Sequence, residues 1–429
     1  MARFSLTTIV LATLCTAVLG AEESAASSAQ SDVKVEAGCE KNFKVMAQAD
    51  LDTIKTCKIF KGTIDIDHIT ATQLRMEGVE QLIGDLIMNG NVDLERFSAP
   101  ELQKVDGSIK IENHTILNKV EFPKLTEAQT FSMAVLPALE VINFPAGLTK
   151  VNSMRIEDTR APKVDGFRPE TIGSFTLLSN NYMKSFDFNS VKEVTGDMLV
   201  LGNNKLMTFE ANQLASIKMA TFLNLAQIDM PALTDVKSDL SFHENELTVL
   251  NLDKVETIGG TMTIANNNKL TETSFKSLAR IDGALSIGNN TQLTSIDGFP
   301  KLTEIHGTVD LAGGFNVYNL PVLQDVRGGM RLQTTSSQLG CSDIERKLKG
   351  ENIVKGNTWS CTASMQESNM VPTVGQNPSA PNKVGGGSSG SSSGSSNGNG
   401  SGSIQSSGMK LAAHGGLMAT AMALVYSMI

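Results

Sequence analysis

Apolar residues recur along this chain in pairs spaced two apart, and the pairs return about every 22 residues. The clearest copies read Val194-Thr195-Gly196-Asp197-Met198-Leu199-Val200-Leu201-Gly202-Asn203-Asn204, Ile258-Gly259-Gly260-Thr261-Met262-Thr263-Ile264-Ala265-Asn266-Asn267 and Ile281-Asp282-Gly283-Ala284-Leu285-Ser286-Ile287-Gly288-Asn289-Asn290. Alternation with period two predicts a short strand with one inward face. A unit this small cannot bury that face without a neighbour, so the pattern predicts stacked coils.

Strand centres are predicted at Ile64/Ile66, Leu86/Met88, Ile109/Ile111, Phe131/Met133, Met154/Ile156, Phe175/Leu177, Met198/Val200, Phe222, Leu240/Phe242, Met262/Ile264, Leu285/Ile287, Val309/Leu311 and Met330/Leu332. That gives about thirteen coils in a stack roughly 60 Å long at the usual strand spacing. Each coil adds a second apolar element, as from Leu293 to Ile305 and from Leu320 to Val326. Pro100, Pro123, Pro137, Pro231, Pro300 and Pro321 fall at turns, where a fixed φ helps and no ladder donor is lost.

The asparagines Asn89, Asn180, Asn181, Asn203, Asn204, Asn245, Asn266, Asn267, Asn289 and Asn290 fall at one phase, just after the strand. Asparagine tolerates left-handed turns, and stacked amides can bond from coil to coil, so these positions are read as structural. Helix-length segments and a regular Leu-x-x-Leu-x-Leu consensus are missing. The expected fold is therefore all-β, a right-handed parallel β-helix or solenoid that is leucine-rich-repeat-like with shorter coils.

The two ends break the pattern. Residues 1–20 join Arg3, an apolar run from Thr8 to Leu19 and a small-residue exit at Val18-Leu19-Gly20, which reads as a secretory signal. Residues 21–38 are expected to be a flexible lead-in, 39–361 the solenoid with its caps, and 362–408 a disordered Ser/Gly-rich stalk. The stalk's serines and threonines are plausible O-glycan acceptors. Residues 409–429 form an apolar tail with nothing basic after it, and together with the small residues before it they read as a glycosylphosphatidylinositol (GPI) attachment signal that is removed. Asn399 is the preferred attachment residue, with Asn397, Gly402 and Ser403 as alternatives. A retained membrane helix is disfavoured by His414, Gly415 and Gly416 and by the absence of a following Lys or Arg.

Of the five cysteines, Cys15 leaves with the signal, and the remaining four allow three pairings. Position favours Cys39 with Cys57 and Cys341 with Cys361, because those pairs bracket the repeats where end coils would otherwise present apolar faces and open edges. No Cys-x-x-Cys supports zinc. Ser342-Asp343-Ile344-Glu345 reads as a capping box opening a short helix that ends before Gly350, and a second short helix near Ala47 to Lys55 covers the front. A net charge of −9 without a basic cluster weighs against nucleic acid as a partner.

Candidate chemistry is thin. His68, His114, His243, His306 and His414 form no metal motif and are expected at the surface, and no nucleophile motif is present, so no catalytic, cofactor or metal residue is expected. The sharpest enzymatic alternative, a wall-remodelling glycosidase or transglycosylase, rests on Asp65 and Asp67, which share one strand face at roughly the 5.5 Å of a retaining pair. A polysaccharide-binding module would draw its stacking rings from Trp359, Tyr182, Tyr318 and Tyr426 alone. Asn113-His114-Thr115 and Asn289-Asn290-Thr291 are N-glycosylation sequons placed in turns; Asn399-Gly400-Ser401 also matches but competes with the anchor.

Taken in order, the Gly- and Asn-marked coils, the terminal cysteine pairs, the Ser/Gly stalk and the anchor signal resemble the fungal GPI-anchored cell-wall organisation family. That family is related to sporulation-specific cell-wall proteins and built from receptor L-domain-like repeats. The resemblance spans roughly residues 39–429. It implies an extracellular, mannosylated protein with an organisational role in wall integrity and no established catalytic residues. The implied partners are the glucan and mannoprotein matrix and, through the anchor, the outer leaflet of the plasma membrane.

Overall fold

The computed structural model describes residues 35–371. The signal sequence, the stalk from residue 372 onward, the apolar tail and the attachment candidates Asn399, Asn397, Gly402 and Ser403 lie outside the described residues, as do Cys15, His414 and Tyr426.

Every apolar pair read from the sequence sits in a strand, and each strand pairs in parallel with its counterpart one coil later. Ile64 lies beside Leu86, Leu86 beside Ile109, Met198 beside Ala220 and Leu285 beside Val309, through to Met330. The inward members, such as Ile66, Met88, Val200 and Ile264, are fully buried. The ladder also runs one strand past the expected coils at each end. Phe43–Val45 pairs with Ile64–Ile66, and Trp359–Thr362 pairs with Met330–Gln333. The front strand lacks both the glycine and the asparagine of the repeat; the rear strand keeps the glycine, as Gly356 stacked on Gly328 at 3.2 Å, but lacks the asparagine after it.

The opposite side of each coil is made of short strands in small parallel sheets, including Gln73–Arg75 with Arg96–Ser98 and Lys119–Glu121, and Ser185–Asp187 with Thr208–Glu210 and Gln227–Asp229. Between the two sides runs a file of phenylalanines. Phe175 meets Phe186 at 5.0 Å and Phe188 at 4.8 Å between ring centroids, and Phe222 stacks on Phe242 at 5.4 Å. Each such ring contributes about 2–3 kcal/mol of burial. The stack thus has one continuous core rather than a separate core per coil.

Both ends are closed as expected. Cys39 is bonded to Cys57 and Cys341 to Cys361, with Cα separations of 5.7 and 5.6 Å. The front helix, Gln48–Asp52, is held by Asp50, whose carboxylate accepts the Met46 and Ala47 N–H groups at 2.8 and 2.9 Å. The rear helix, Cys341–Leu348, departs from the expected capping box. Gly340 is its N-cap and accepts the Ile344 N–H at 3.2 Å, which places Ser342 inside the first turn, where its hydroxyl caps nothing.

Candidate interaction faces

At the corner after the strand, coil after coil turns through a residue with positive φ: His68, Gly90, Asn113, Val135, Asp158, Ser179, Gly202, Asn224, Glu244, Asn266 and Asn289. The residue that follows points inward. Asn91, His114, Asn180, Asn203, Asn245, Asn267 and Asn290 occupy this second phase and are buried. Their side chains bond between coils: the Asn180 amide nitrogen donates to Asn203 Oδ1 at 3.1 Å, Asn245 to Asn267 at 3.1 Å and Asn267 to Asn290 at 3.1 Å.

The asparagines therefore do not share one phase. In Asn266-Asn267 and Asn289-Asn290 the first residue takes the left-handed turn and the second enters the ladder. At Asn180-Asn181 and Asn203-Asn204 the turn falls to Ser179 and Gly202, so the first asparagine enters and the second stays outside. Asn89 ends a strand, and Asn91 is the ladder residue of that coil.

His114 is likewise a correction, because it is a ladder residue and not a surface one. It is fully buried, and Asn91 donates to its Nε2 at 3.1 Å. Its Nδ1 has no well-formed bond, and burial pushes the imidazole down to about 4. Burial also lowers His243. Because the unfolded His114 takes up a proton near 6.5 and the folded one only near 4, acidification favours the unfolded chain. Above 6.5 the residue adds no pH dependence; the loss grows below that and reaches about 3 kcal/mol near pH 4. His114→Asn, which continues the amide ladder, is expected to flatten this slope in denaturant midpoints measured from pH 7 to 4.

Asp65 and Asp67 do share the outer face of the strand Ile64–Asp67. Asp67 accepts a hydrogen bond from His68 Nδ1 at 2.7 Å and faces Lys44 at 3.8 Å. The hydrogen bond from His68, reinforced by the positive charges nearby, holds its carboxyl below the usual range. A retaining glycosidase needs one carboxyl kept protonated near neutrality, which is the opposite shift. His306 is engaged by Asp282 at 2.9 Å and Glu304 at 3.1 Å.

On the far side, Gln48, Arg75, Arg96, Lys119 and Glu121 border a shallow cleft of about 410 Å³. Arg75 pairs with Glu77 at 2.6 Å and Lys119 with Glu121 at 2.9 Å, so part of its charge is neutralised within the coil. Of the rings considered for sugar stacking, Tyr182 is exposed and lies 5.3 Å from the Arg160 guanidinium. Trp359 and Tyr318 pack against the core, and the Tyr318 hydroxyl is buried.

The Receptor L domain family matches residues 256–339, the stretch in which the glycine and asparagine marks are most regular. Protein ecm33 of Aspergillus fumigatus is 28% identical over 76% of this chain and 80% of its own length. A cell surface GPI-anchored protein of Arthroderma benhamiae is 27% identical over 74% of this chain and 81% of its own, and cell wall protein ecm33 of Schizosaccharomyces pombe is 29% identical over 75% and 76%. The chain is thus similar, over about three-quarters of its length, to proteins named for the fungal cell surface and cell wall. No solved structure matches it.

In this chain both internal sequons fall on the left-handed corner. Asn113 and Asn289 are exposed with φ of 61° and 58°, and Thr115 and Thr291 beside them are exposed as well. The residue between asparagine and threonine, His114 or Asn290, is the buried ladder member. The corner therefore turns the acceptor side chain outward while anchoring its neighbour in the core.

Proposed function

We propose that the mature chain is a secreted, GPI-anchored glycoprotein with an organisational role in the fungal cell wall, acting as a rigid surface and not as an enzyme. The observation that carries this reading is the similarity to proteins named as cell-wall and GPI-anchored ones over about three-quarters of the chain. In this reading residues 1–20 direct export and are removed, residues 400–429, which include the apolar tail 409–429, are released as the lipid joins Asn399, and the stalk before it gives the solenoid reach. Asn113 and Asn289 carry glycans along one edge of the stack, which leaves the strand faces open to wall glucan and mannoprotein. The cross-braced amide ladder and shared core supply stiffness, the property a wall-organising surface requires.

The test combines release and rescue. Phosphatidylinositol-specific phospholipase is expected to free the protein from membranes. Deletion is expected to sensitise cells to wall-perturbing dyes, and a copy carrying both Asp65→Asn and Asp67→Asn is expected to restore full resistance. Failure of that copy, with the protein present at normal level, would favour the glycosidase reading.

A further inference from the structure

The short strands on the far side of the stack carry their charge in blocks. Toward the front, the in-register strands Gln73–Arg75, Arg96–Ser98 and Lys119–Glu121 hold Arg75, Arg96 and Lys119, all three exposed on the rim of the shallow cleft. Glu77 and Glu121 answer Arg75 and Lys119, but the Arg96 guanidinium has no ion pair among the described residues, so the block keeps a cationic excess. The two strands behind it present Asn143 and, in register with it, Asp165, which Lys163 neutralises at 3.0 Å.

The next three strands reverse the sign. Asp187, Glu210 and Asp229 stand in register on Ser185–Asp187, Thr208–Glu210 and Gln227–Asp229, each about one strand spacing, 4.8 Å, from the next. Asp187 accepts the Asn189 N–H at 3.0 Å and Asp229 the Gln227 amide at 2.6 Å, but none of the three pairs with a lysine or arginine among the described residues. Like charges placed directly opposite one another destabilise a sheet. Elsewhere the stack sets acid against base from coil to coil, as in Lys58 with Glu80, Lys150 with Glu127 and Lys276 with Asp253. The bare carboxylate column breaks that habit, and the countercharge it lacks is what the front block of the same face has in excess.

We infer that the far face docks a second copy of this chain, in an antiparallel pair related by a two-fold axis. The axis lies in the face, parallel to the strands, between those of Asn143 and Asp165. Rotation about it keeps position along a strand and reverses position along the stack, so the contact is self-complementary. Arg75 comes opposite Asp229 of the second copy, Arg96 opposite Glu210 and Lys119 opposite Asp187, and each pair occurs twice. Arg75 and Asp229 both hold the third position of their strands. Arg96 and Lys119 hold the first, two residues or about 7 Å along the strand from the carboxylates they face, which their long side chains can span. Along the stack Arg96 and Glu210 are five strand spacings apart, about 24 Å, with the neutral strands midway between. Eight strands of three residues cover about 34 by 10 Å, the small end of specific interfaces, so the pairing is weak and driven by charge. The sequon corners lie beside this face, and the long sheet of each copy stays open toward the wall. The contact is a property of the folded surface and does not depend on the wall role proposed above.

Sedimentation of the purified full chain is expected to show a monomer–dimer equilibrium whose dissociation constant rises about tenfold or more between roughly 50 and 500 mM NaCl. Arg96→Glu with Lys119→Glu reverses one block, and Asp187→Lys with Glu210→Lys reverses the other. Each double variant alone is expected to stay monomeric where the parent pairs, with an unchanged dichroism spectrum, because all four side chains are exposed. An equimolar mixture of the two is expected to restore the dimer, since each reversed block then meets its reversed counterpart and each native block a native one. A parent chain still monomeric at about 100 µM in low salt would overturn the pairing. So would a dimer that survives in either variant, a mixture that stays monomeric, or assemblies larger than two copies, which a closed two-fold contact forbids. The salt series on the parent needs no variant and tests the contact independently.

Discussion

Asn267→Leu is expected to destabilise the solenoid by about 4 kcal/mol, although leucine is close in volume and is itself a common core residue. The loss comes from the groups that depend on this amide. Asn267 Oδ1 accepts both the backbone N–H of Asn245 at 2.9 Å and its side-chain amide at 3.1 Å. Asn267 Nδ2 donates to the carbonyls of Phe242 and Ala265, each at 3.1 Å. With leucine in place these donors and acceptors remain buried with no water to replace the partner, at about 1–3 kcal/mol for each fully orphaned group. Leu225 already occupies the same phase two coils earlier, so leucine fits the corner sterically and the cost is one of hydrogen bonding. The measurement is the shift in urea midpoint of the secreted chain. Adding Asn245→Leu should cost less than it does alone, because it removes one of the orphans, the Asn245 side-chain amide; strictly additive losses would show that the ladder is not a coupled network.

The degree to which this was readable from sequence differs between features for physical reasons. Strands such as Met262–Ala265 and Leu285–Gly288 were legible because burial on one face of a parallel ladder forces period-two alternation, and stacking forces the same alternation on every coil. The terminal pairings were legible because open ends of a stack require closure. Phe43–Val45 and Trp359–Thr362 were not, since an end strand has only one neighbour and carries no asparagine corner to announce it.

The ladder phase was legible only in part. Which of two adjacent asparagines enters depends on where the left-handed residue falls, and glycine, serine, asparagine, aspartate, glutamate, histidine and even valine all take that place here. His114 escaped notice because its role is set by register with Asn91 one coil earlier, a relation invisible to a search for histidine motifs. The strand carboxylates Asp65 and Asp67 were placed correctly on one face, but the sequence could not show that His68 and Lys44 stabilise the charged form of Asp67. In a solenoid, position along the chain gives the coil and the phase, while chemistry depends on what the coils before and after place at that phase.

Gly283→Ala is expected to remove about 3 kcal/mol with the addition of a single methyl group. Its backbone is not in the left-handed region, so the cost does not come from conformational freedom. It comes from the neighbouring coil: a Cβ at this position would lie 2.5 Å from the Gly260 carbonyl carbon, 2.6 Å from its oxygen and 2.6 Å from the Thr261 nitrogen. These are backbone atoms, and they cannot rotate away. The contact is close because the Gly283 N–H donates to the Gly260 carbonyl at 2.9 Å, and the Gly307 N–H in turn donates to the Gly283 carbonyl at 2.8 Å. Relief therefore requires the two coils to separate, which breaks the bond at this corner and strains the next. In a stack whose stability is a sum of nearest-neighbour terms, weakening one interface also weakens cooperativity across it. Trp359, the one tryptophan of the chain, lies in the last strand and reports the block behind Gly283, whereas circular dichroism reports all coils. In the parent protein the two signals should fall together with urea; in Gly283→Ala the tryptophan transition should move to lower urea and separate from the dichroism. Gly314→Ala is the matched control, since its Cβ would come no nearer than 3.8 Å to any neighbour, and it should shift neither signal by more than about 0.5 kcal/mol. A Gly283→Ala protein that unfolds at the parent midpoint with coincident signals would show that the coils can part at this corner without loss, and the close glycine contact would then not be what holds the rear block in register.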